Sequence, residues 1–359
     1  MPLNILIAGV GLIGGSLGLA LKGSSSVNKI IGVDSDLEAL KKAEELGAID
    51  CYTSLSEGAK QADIIILCTP VNTFASIIDE IMDLLRPGTI ITDTGSTKEK
   101  AMNTFAKLPD YVYVIGGHPM AGGEAIGIIN ADKYLFENAV YVLTPAANTP
   151  SDIINQLKAV LSVIGARFMI MEPRYHDEIV AVISHIPHLL SAALVNLTNA
   201  DRDKLSMAAG GFRDTTRIAS SNPKLWQQIL FSNRESVIKY LDQLIISLNE
   251  YRDMLDNHDE QQLFEQLKRA QETRNSIPYM RKGLMPGFSD IICIVPDRPG
   301  IIGELGNILG EKHINIVDLE ILHVREGDGG TIRIGVPTYE NACQAVDELK
   351  EHGIKAWRR

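Results

Sequence analysis

The sequence is poor in residues that bind metals or form disulfides. Among 359 residues there are four cysteines, Cys51, Cys68, Cys293 and Cys343, and none of their spacings is typical of a zinc site, an iron–sulfur cluster or a redox dithiol. Isolated thiols of this kind are typical of buried side chains in a reducing compartment. The sequence therefore predicts a cytoplasmic protein with no bound metal.

Clusters of basic residues are also missing. The 34 Lys and Arg residues are scattered along the chain and outnumbered by 45 Asp and Glu, which gives a formal net charge of −11. Nucleic acids and anionic membranes attract proteins through basic patches. We therefore predict no nucleic-acid and no membrane partner, and we expect the substrate to be a small molecule.

The longest apolar run opens the chain, but glycines interrupt it and no basic segment precedes it, so it predicts a strand and a helix rather than a signal peptide. Its glycines form the pattern GxGxxG between the two elements. Glycine at these positions allows a tight turn and lets backbone N–H groups approach a pyrophosphate. The residues expected to contact a dinucleotide here are Gly9, Gly11, Leu12, Ile13 and Gly14.

An acidic residue ends the second predicted strand, KIIGVD. A carboxylate at Asp34 would accept hydrogen bonds from an adenosine ribose and repel the 2′-phosphate of NADP, so the sequence predicts NAD as the cofactor. Thr69 and Pro70, which end the strand-like run ADIIILCTP, are expected to contact the same cofactor. The alternative is a glycine turn that only packs a helix against a sheet.

Strand-like and helical segments alternate through residues 1–172. This rhythm is typical of an α/β Rossmann-type domain with a parallel sheet. Residues 173–274 show only helical periodicity and predict an all-α domain, with helices over 174–199 and 223–256. The apolar stripe of the second helix predicts a homodimer interface, although it could instead cover only its own domain's core.

A linker rich in Pro and Gly, residues 275–289, precedes a last domain at 290–359. The order of predicted elements in that domain is βαββαβ. This order predicts a ferredoxin-like fold.

Two polar residues follow neighbouring strands of the predicted sheet. Ser96 lies in DTGSTK, and His118 lies in the glycine-rich segment GGHPMAGGEAIG. Ligands of open parallel sheets bind at the carboxyl ends of the strands, so both should face the nicotinamide. An imidazole, with a pKa of about 6.5, can accept a hydroxyl proton as a hydride leaves. His118 is therefore the predicted catalytic base, although a lone histidine can also be purely structural.

The helical domain carries a second group of polar residues. His185 and His188 lie on one helical face, and Pro187 between them predicts a kink. No carboxylate or cysteine has a matching spacing, so a metal is not expected. Of Arg213 and Arg217, which are suited to holding a carboxylate, we favour Arg217 for a substrate contact.

In their order, these motifs resemble the prephenate dehydrogenase family: the glycine fingerprint, DTGSTK, GGHPMAGGEAIG, SHIPH and GGFRDTTRIASSNPKLW. The last domain resembles an ACT domain, through PDRPGIIGELGNIL and INI. The resemblance implies NAD-dependent oxidative decarboxylation of prephenate to 4-hydroxyphenylpyruvate, NADH and carbon dioxide, in tyrosine biosynthesis.

The resemblance also implies roles for single residues. His118 hydrogen-bonds the ring hydroxyl and assists loss of its proton, Ser96 helps to orient that pair, and Arg217 holds a substrate carboxylate. The other residues expected around the substrate are His185, His188, Gly210, Arg213, Trp226 and, as a gate, Glu124. Three alternatives stay open: an arogenate dehydrogenase, a 3-hydroxyacid dehydrogenase that uses a lysine base, and a non-catalytic NAD-binding amino-acid sensor.

The ACT-like domain predicts a regulatory site. Its turn from Asp297 through Pro299 to Gly300 precedes a helix, whose free N–H groups can receive an amino acid's carboxylate. Asn315, on the next predicted strand, could reach the ligand's polar groups from a neighbouring module. L-Tyrosine, the end product of the implied pathway, is the expected effector. The alternative is a domain that serves only for dimerisation.

Overall fold

The computed structural model describes four stretches of the chain: residues 2–123, 125–277, 289–325 and 329–358. The chain divides into two compact units, Met1–Pro278 and Tyr279–Arg359. The predicted linker at 275–289 spans this division and lies mostly outside the described residues, as does the tip of the last domain's predicted hairpin.

One sheet of eight strands organises the first unit. The strands are β1 (Leu3–Ala8), β2 (Val27–Val33), β3 (Cys51–Tyr52), β4 (Ile64–Leu67), β5 (Ile90–Asp93), β6 (Tyr113–Pro119), β7 (Val140–Pro145) and β8 (Arg167–Ile170). Their order is β3-β2-β1-β4-β5-β6-β7-β8. The first six follow the order of a Rossmann-type fold, which confirms the predicted fold class. The short strands β3 and β8, at the two edges of the sheet, were not predicted from the sequence.

One strand pair departs from the predicted parallel arrangement. β6 and β7 are antiparallel, with His118 opposite Val142, whereas β7 and β8 are parallel again. Parallel neighbours need a crossover, usually an α-helix. The described residues between β6 and β7 contain only the 3₁₀ turn Ile128–Asn130, so the sheet is mostly rather than wholly parallel.

Helices cover both faces of the sheet and enclose two apolar clusters. These helices are α1 (Leu12–Leu21), α2 (Leu37–Glu45), α3 (Leu55–Ala59), α4 (Phe74–Ile81), α5 (Glu99–Phe105) and α6 (Ser151–Leu161). In β1, Ile5 and Ile7 belong to one cluster, while Leu6 and Ala8 belong to the other. Burial on both faces explains why the central strands appear in the sequence as continuous apolar runs.

The rest of the first unit is helical. Its helices are α7 (Pro173–Val180), α8 (Ile186–Asn196), α9 (Arg202–Ser206), α10 (Gly210–Thr216), α11 (Pro223–Ser232), α12 (Arg234–Asp256) and α13 (Glu260–Ser276). α7 and α8 are continuous through a π-helical turn, Ala181–His185. Pro187 follows this turn and cannot donate a backbone hydrogen bond, so the predicted kink takes the form of a π turn.

The single helix predicted over 223–256 is wrong, because the chain breaks at Asn233 into α11 and α12. Asn233 has φ −115° and ψ 33°, and it is 5% exposed. Its Nδ2 donates to the carbonyl oxygen of Asp177 at 2.7 Å. Asparagine side chains offer hydrogen bonds that compete with the helix, and here the contact links α7 to the break.

One stretch, Pro173–Asn196, is long and apolar enough to cross a membrane by length and composition alone, with a mean hydropathy of 1.7 over its most apolar window. It nevertheless carries His176, Asp177 and His185, which are at most 2% exposed. All three make hydrogen bonds to side chains or backbone of the same unit. These contacts join the buried side of the stretch to other segments of the unit.

The second unit has a four-stranded antiparallel sheet with the order β10-β11-β9-β12. Its elements are β9 (Ser289–Val295), α14 (Ile301–Glu311), β10 (Asp318–Arg325), β11 (Gly329–Val336), α15 (Tyr339–Glu351) and β12 (Lys355–Arg358). The predicted βαββαβ fold is confirmed. Both helices pack against the sheet in one apolar core.

Candidate active site

The glycine turn between β1 and α1 has backbone geometry that other residues would not tolerate. Gly9 has φ +95°, and a Cβ there would lie 2.8 Å from the carbonyl carbon of Cys68. A Cβ on Gly14 would lie 1.9 Å from the Gly9 oxygen, whereas a Cβ on Gly11 would meet nothing within 4 Å. Gly9 and Gly14 therefore pack directly against neighbouring backbone, whereas the space beside Gly11 is free. A pyrophosphate needs such free space to approach the backbone of the turn.

Asp34 is bound to this turn. One oxygen of its carboxylate accepts the Val10 N–H at 2.9 Å, and the other accepts the Asp36 N–H at 3.0 Å. Each oxygen keeps a second lone pair for a ribose hydroxyl. The carboxylate thus supports the turn as well as facing the predicted ribose site, a second role that sequence spacing does not reveal.

A cavity of about 460 Å³ lies between the Rossmann-type part and α11. From the first part it is lined by the predicted residues Ile13, Thr69, Pro70 and Ser96. From α11 it is lined by residues that the sequence analysis did not select: Leu225, Gln227, Gln228, Ile229, Phe231 and Ser232. Helical periodicity alone assigns Leu225 and Ile229 to a packing stripe, so only the folded arrangement places them at the cleft.

His118 lies near the end of β6 and begins a chain of hydrogen bonds. Its Nδ1 is 2.8 Å from Nε2 of His176, and Nδ1 of His176 is 2.7 Å from Oδ1 of Asp177. The Asp177 carboxylate also accepts two backbone N–H groups at the start of α5, from Lys98 at 2.7 Å and from Glu99 at 2.9 Å. The predicted base is therefore held by α7, which the sequence analysis did not associate with it.

A buried ion pair supports the strand end that carries His118. Lys98 and Asp93 are both fully buried and form a salt bridge. The Lys98 ammonium also donates to the Gly117 carbonyl at 2.5 Å, and the Gly117 N–H donates to Asp93 at 3.0 Å. Sequence reasoning missed both residues, although opposite charges flanking the glycine and serine of DTGSTK are a usable signal.

Burial disfavours the charged forms of His118 and His185. It lowers the pKa of His118 well below 6.5, and the nearby His176, Lys98 and His185 lower it further. Burial also lowers the pKa of His185 to about 4, although Asp177 opposes the shift. His118 is therefore an uncharged hydrogen-bond acceptor at neutral pH.

The helical part brings together three of the predicted substrate residues. His188 stacks on Trp226 with ring centroids 3.6 Å apart, and His185 meets the same indole edge-on at 6.1 Å. Nδ1 of His188 and Oγ of Ser191 are buried and have no hydrogen-bond partner within the described stretches. Unpaired buried polar atoms are costly in a protein interior, so they mark this face of α8 as a place for a polar ligand or water.

The other predicted substrate residues lie around the same helix. Gly210 and Arg213 belong to α10, and Arg217 opens a 3₁₀ turn, Arg217–Ser220; both segments pack against α8. The side chains of Arg213 and Arg217 are exposed. Glu124, the predicted gate, lies outside the described residues.

The second unit has a cavity of about 420 Å³ at the predicted regulatory turn. Asp297, Pro299 and Gly300 line it, and Gly300 begins α14 with φ +90°. Asn315, predicted on the next strand, is exposed and lies in the loop before β10, so its predicted strand position is wrong. The strand begins only at Asp318.

A Rossmann-type sheet whose glycine turn is open at Gly11, with Asp34 bound to that turn and a partly buried histidine near the end of β6, is typical of a dinucleotide-dependent dehydrogenase. Comparison with known proteins identifies the family. Residues 17–170 match the family model "Prephenate dehydrogenase, nucleotide-binding domain", 172–269 match "Prephenate dehydrogenase, dimerization domain", and 289–348 match "ACT domain".

Three relatives show how far the similarity extends. The chain is 39% identical to the prephenate dehydrogenase of Bacillus subtilis, over 95% of this chain and 94% of that protein. It is 33% identical to the crystal structure of A. aeolicus prephenate dehydrogenase with hydroxyphenyl propionate and NAD+, with a TM-score of 0.70 over 77% of this chain and 99% of that one. The crystal structure of Synechocystis arogenate dehydrogenase is 32% identical, with a TM-score of 0.67 over 77% of this chain and 100% of that one.

The chain therefore belongs to the prephenate dehydrogenase family, and its cofactor is NAD. The resemblance inferred from its motifs is confirmed.

We predict that Asp34→Ala weakens NAD binding and narrows the preference for NAD over NADP. The variant loses the ribose acceptor, worth about 1.5–3 kcal/mol for a charged group, together with the charge that repels a 2′-phosphate. Binding constants for both dinucleotides measure the effect. Asp34→Asn is the matched control, because it keeps an acceptor for Val10 but removes the charge. An unaltered NAD to NADP ratio in both variants would show that Asp34 does not read the ribose.

Proposed function

We propose that the protein catalyses NAD-dependent oxidative decarboxylation of prephenate to 4-hydroxyphenylpyruvate, as a homodimer in the cytoplasm. The observation that carries this proposal is the position of His118 near the carboxyl end of β6, where its Nδ1 lies 2.8 Å from Nε2 of His176 and burial lowers its pKa. Prephenate has a ring hydroxyl and, on the opposite ring carbon, a carboxylate whose departure yields an aromatic ring.

In the proposed reaction, NAD held at the turn of Gly9, Gly11 and Gly14 would supply the acceptor for the hydride of the hydroxyl-bearing carbon. His118 accepts the hydroxyl proton at about the same time, and loss of carbon dioxide makes the ring aromatic. Ser96 lines the cofactor cleft and would orient the hydroxyl, although in the described structure His118 is hydrogen-bonded to His176 rather than to Ser96. Arg217 would hold a substrate carboxylate, with His188 and Trp226 against the rest of the molecule.

A homodimer is supported by the apolar residues that the helical part leaves exposed. Leu248 and Ile246 of α12 are 50% and 58% exposed, and Phe264 and Leu267 of α13 are 62% and 55% exposed. Aliphatic and aromatic side chains in such number are typical of a face that a partner covers. The match of this region to a dimerization-domain model agrees with that interpretation.

The first prediction from this function is that His118→Asn lowers turnover with prephenate by on the order of 10²–10⁴-fold, because proton acceptance is lost. Affinity for NAD stays nearly unchanged, which calorimetry of the free enzyme checks. In the wild type, turnover stays constant above the lowered pKa of His118 and falls as the pH drops through it, since only the neutral imidazole accepts a proton. Near-normal turnover of the variant would contradict the assignment.

Arg217→Ala is expected to weaken prephenate binding by roughly 2–5 kcal/mol, because the bound substrate would cover the exposed guanidinium and its carboxylate would then lose a buried partner. The effect should appear mainly in KM. Arg213→Ala, on the helix before it, is the matched control and should change KM little. If instead only Arg213→Ala raises KM, Arg213 holds the carboxylate. Assays of each variant with arogenate as well as prephenate also decide between these two substrates.

We further predict that L-tyrosine inhibits the enzyme through the cavity of the second unit, with a coupling of about 1–3 kcal/mol. Gly303 of α14 lines this cavity, and a Cβ there would meet nothing within 4 Å. Gly303→Leu should therefore fill the cavity without a clash and raise the tyrosine concentration needed for half inhibition about tenfold or more.

Gly310→Leu is the matched control for this prediction, because Gly310 lies on the same helix with open space around it. It should leave inhibition unchanged. Inhibition that is purely competitive with prephenate and equal in all three proteins would show that tyrosine occupies the active site instead. In that case the second unit would have another role.

A further inference from the structure

The hydrogen-bond chain behind His118 has only one arrangement that leaves the base ready to act. Each contact needs one donor and one acceptor, so the proton positions along the chain depend on one another. At its far end, the Asp177 carboxylate accepts the Lys98 N–H on Oδ1 and the Glu99 N–H on Oδ2. An ionised carboxylate has no hydrogen to donate, so it can only accept from His176.

Because Asp177 can only accept, the positions of the hydrogens on His176 and His118 are determined. Nδ1 of His176 must carry a hydrogen to donate to Asp177. In a neutral imidazole, Nε2 is then an acceptor, and it must receive its hydrogen bond from Nδ1–H of His118. His118 is consequently bare at Nε2, which has no hydrogen-bond partner in the described residues. This nitrogen is the one left to take a proton from a ligand.

We propose that His176 and Asp177 are positioning residues of the dehydrogenase reaction: they hold His118 in the tautomer with a bare Nε2 and receive the positive charge that proton transfer creates. The proposal rests on the function proposed above. It extends the site from one histidine to a relay of two histidines and a carboxylate, carried by β6 and α7.

The proton balance of the relay closes. The O–H bond of the substrate breaks, and its proton forms a bond with Nε2 of His118. The hydrogen on Nδ1 of His118 can then pass to Nε2 of His176, which leaves His118 neutral and His176 doubly protonated. That imidazolium lies 2.7 Å from the Asp177 carboxylate, whereas His118 is near the Lys98 ammonium and His185. The charge is thus better placed on His176 than on His118.

The competing explanation is that these bonds only join the two parts of the unit. Asp177 does cap the start of α5, and its carbonyl receives Asn233. A capping role, however, needs only the carboxylate and the backbone. It gives no reason for His176, which is 1% exposed, to lie between that carboxylate and His118.

The test compares two substitutions of His176, each made in the wild type and in the His118→Asn background. His176→Phe removes the acceptor, so we expect kcat to fall on the order of 10²-fold, with the KM values for prephenate and NAD changed less than about threefold. His176→Gln keeps an acceptor oxygen near His118 Nδ1 but cannot take the proton. It should lose on the order of 10-fold and fold as the wild type does.

In the His118→Asn background both substitutions should change the residual turnover less than about twofold, because His176 acts through His118. An equal fold loss in the two backgrounds would assign His176 a purely structural role and overturn the proposal. The pH profile gives a further criterion: the acid limb of kcat should shift in His176→Gln, because the substitution removes a neighbouring imidazole that lowers the pKa of His118.

A spectroscopic readout separates this proposal from the proposed substrate. In the free enzyme with ¹⁵N-labelled histidine, NMR at neutral pH should show His118 protonated at Nδ1 and bare at Nε2, with its signals assigned by their loss in His118→Asn. His176→Gln should keep that tautomer, and His176→Phe should give a mixture. A wild-type His118 protonated at Nε2 would overturn the relay, even if prephenate turnover is established. The expected tautomer in an enzyme inactive with prephenate would instead overturn only the proposed function.

Discussion

The carboxylate of Asp177 is the contact on which the arrangement of the first unit depends. It accepts two backbone N–H groups at the start of α5 and the Nδ1–H of His176, so one buried charge joins the Rossmann-type part, the helical part and the base. A carboxylate with three donors is satisfied despite its burial, whereas an unpaired one would be strongly destabilising. The cleft therefore lies between two parts whose junction passes directly behind His118.

In the proposed function, cofactor and substrate bind to different parts of the unit. The turn at Gly9, Gly11 and Gly14 belongs to the sheet, at the point between β1 and β4 where the strand order reverses and open α/β sheets bind ligands. The stacked His188 and Trp226 belong to the helices. A hydride can pass only if the two ligands meet, and the cavity lined jointly by Ser96 and α11 is where the two parts face each other.

Local patterns were sufficient to predict the glycine turn, Asp34, His118 and the order of elements, because each is set by spacing along the chain. They were insufficient for contacts between distant segments. His176 lies 58 residues from His118, and Asn233 lies 56 residues from Asp177, so no periodicity connects them. The break at Asn233 was missed for the same reason: its helix-like neighbours continue the apolar stripe, and only the partner on α7 shows why the helix stops there. The roles of the single site residues stay predictions.

The charges of the site explain why its base must be neutral. Prephenate brings two carboxylates, and protonated histidines would attract them as well as arginine does. The structure instead holds its histidines uncharged: burial lowers the pKa of both His118 and His185, and the one fully buried cation beside them, Lys98, is paired with Asp93. In the proposed function, positive charge for the substrate comes from exposed arginines such as Arg217, where a charge costs little desolvation. A cation that binds a carboxylate and an imidazole that accepts a proton need opposite surroundings, and the fold leaves Arg217 exposed while burial lowers the pKa of His118.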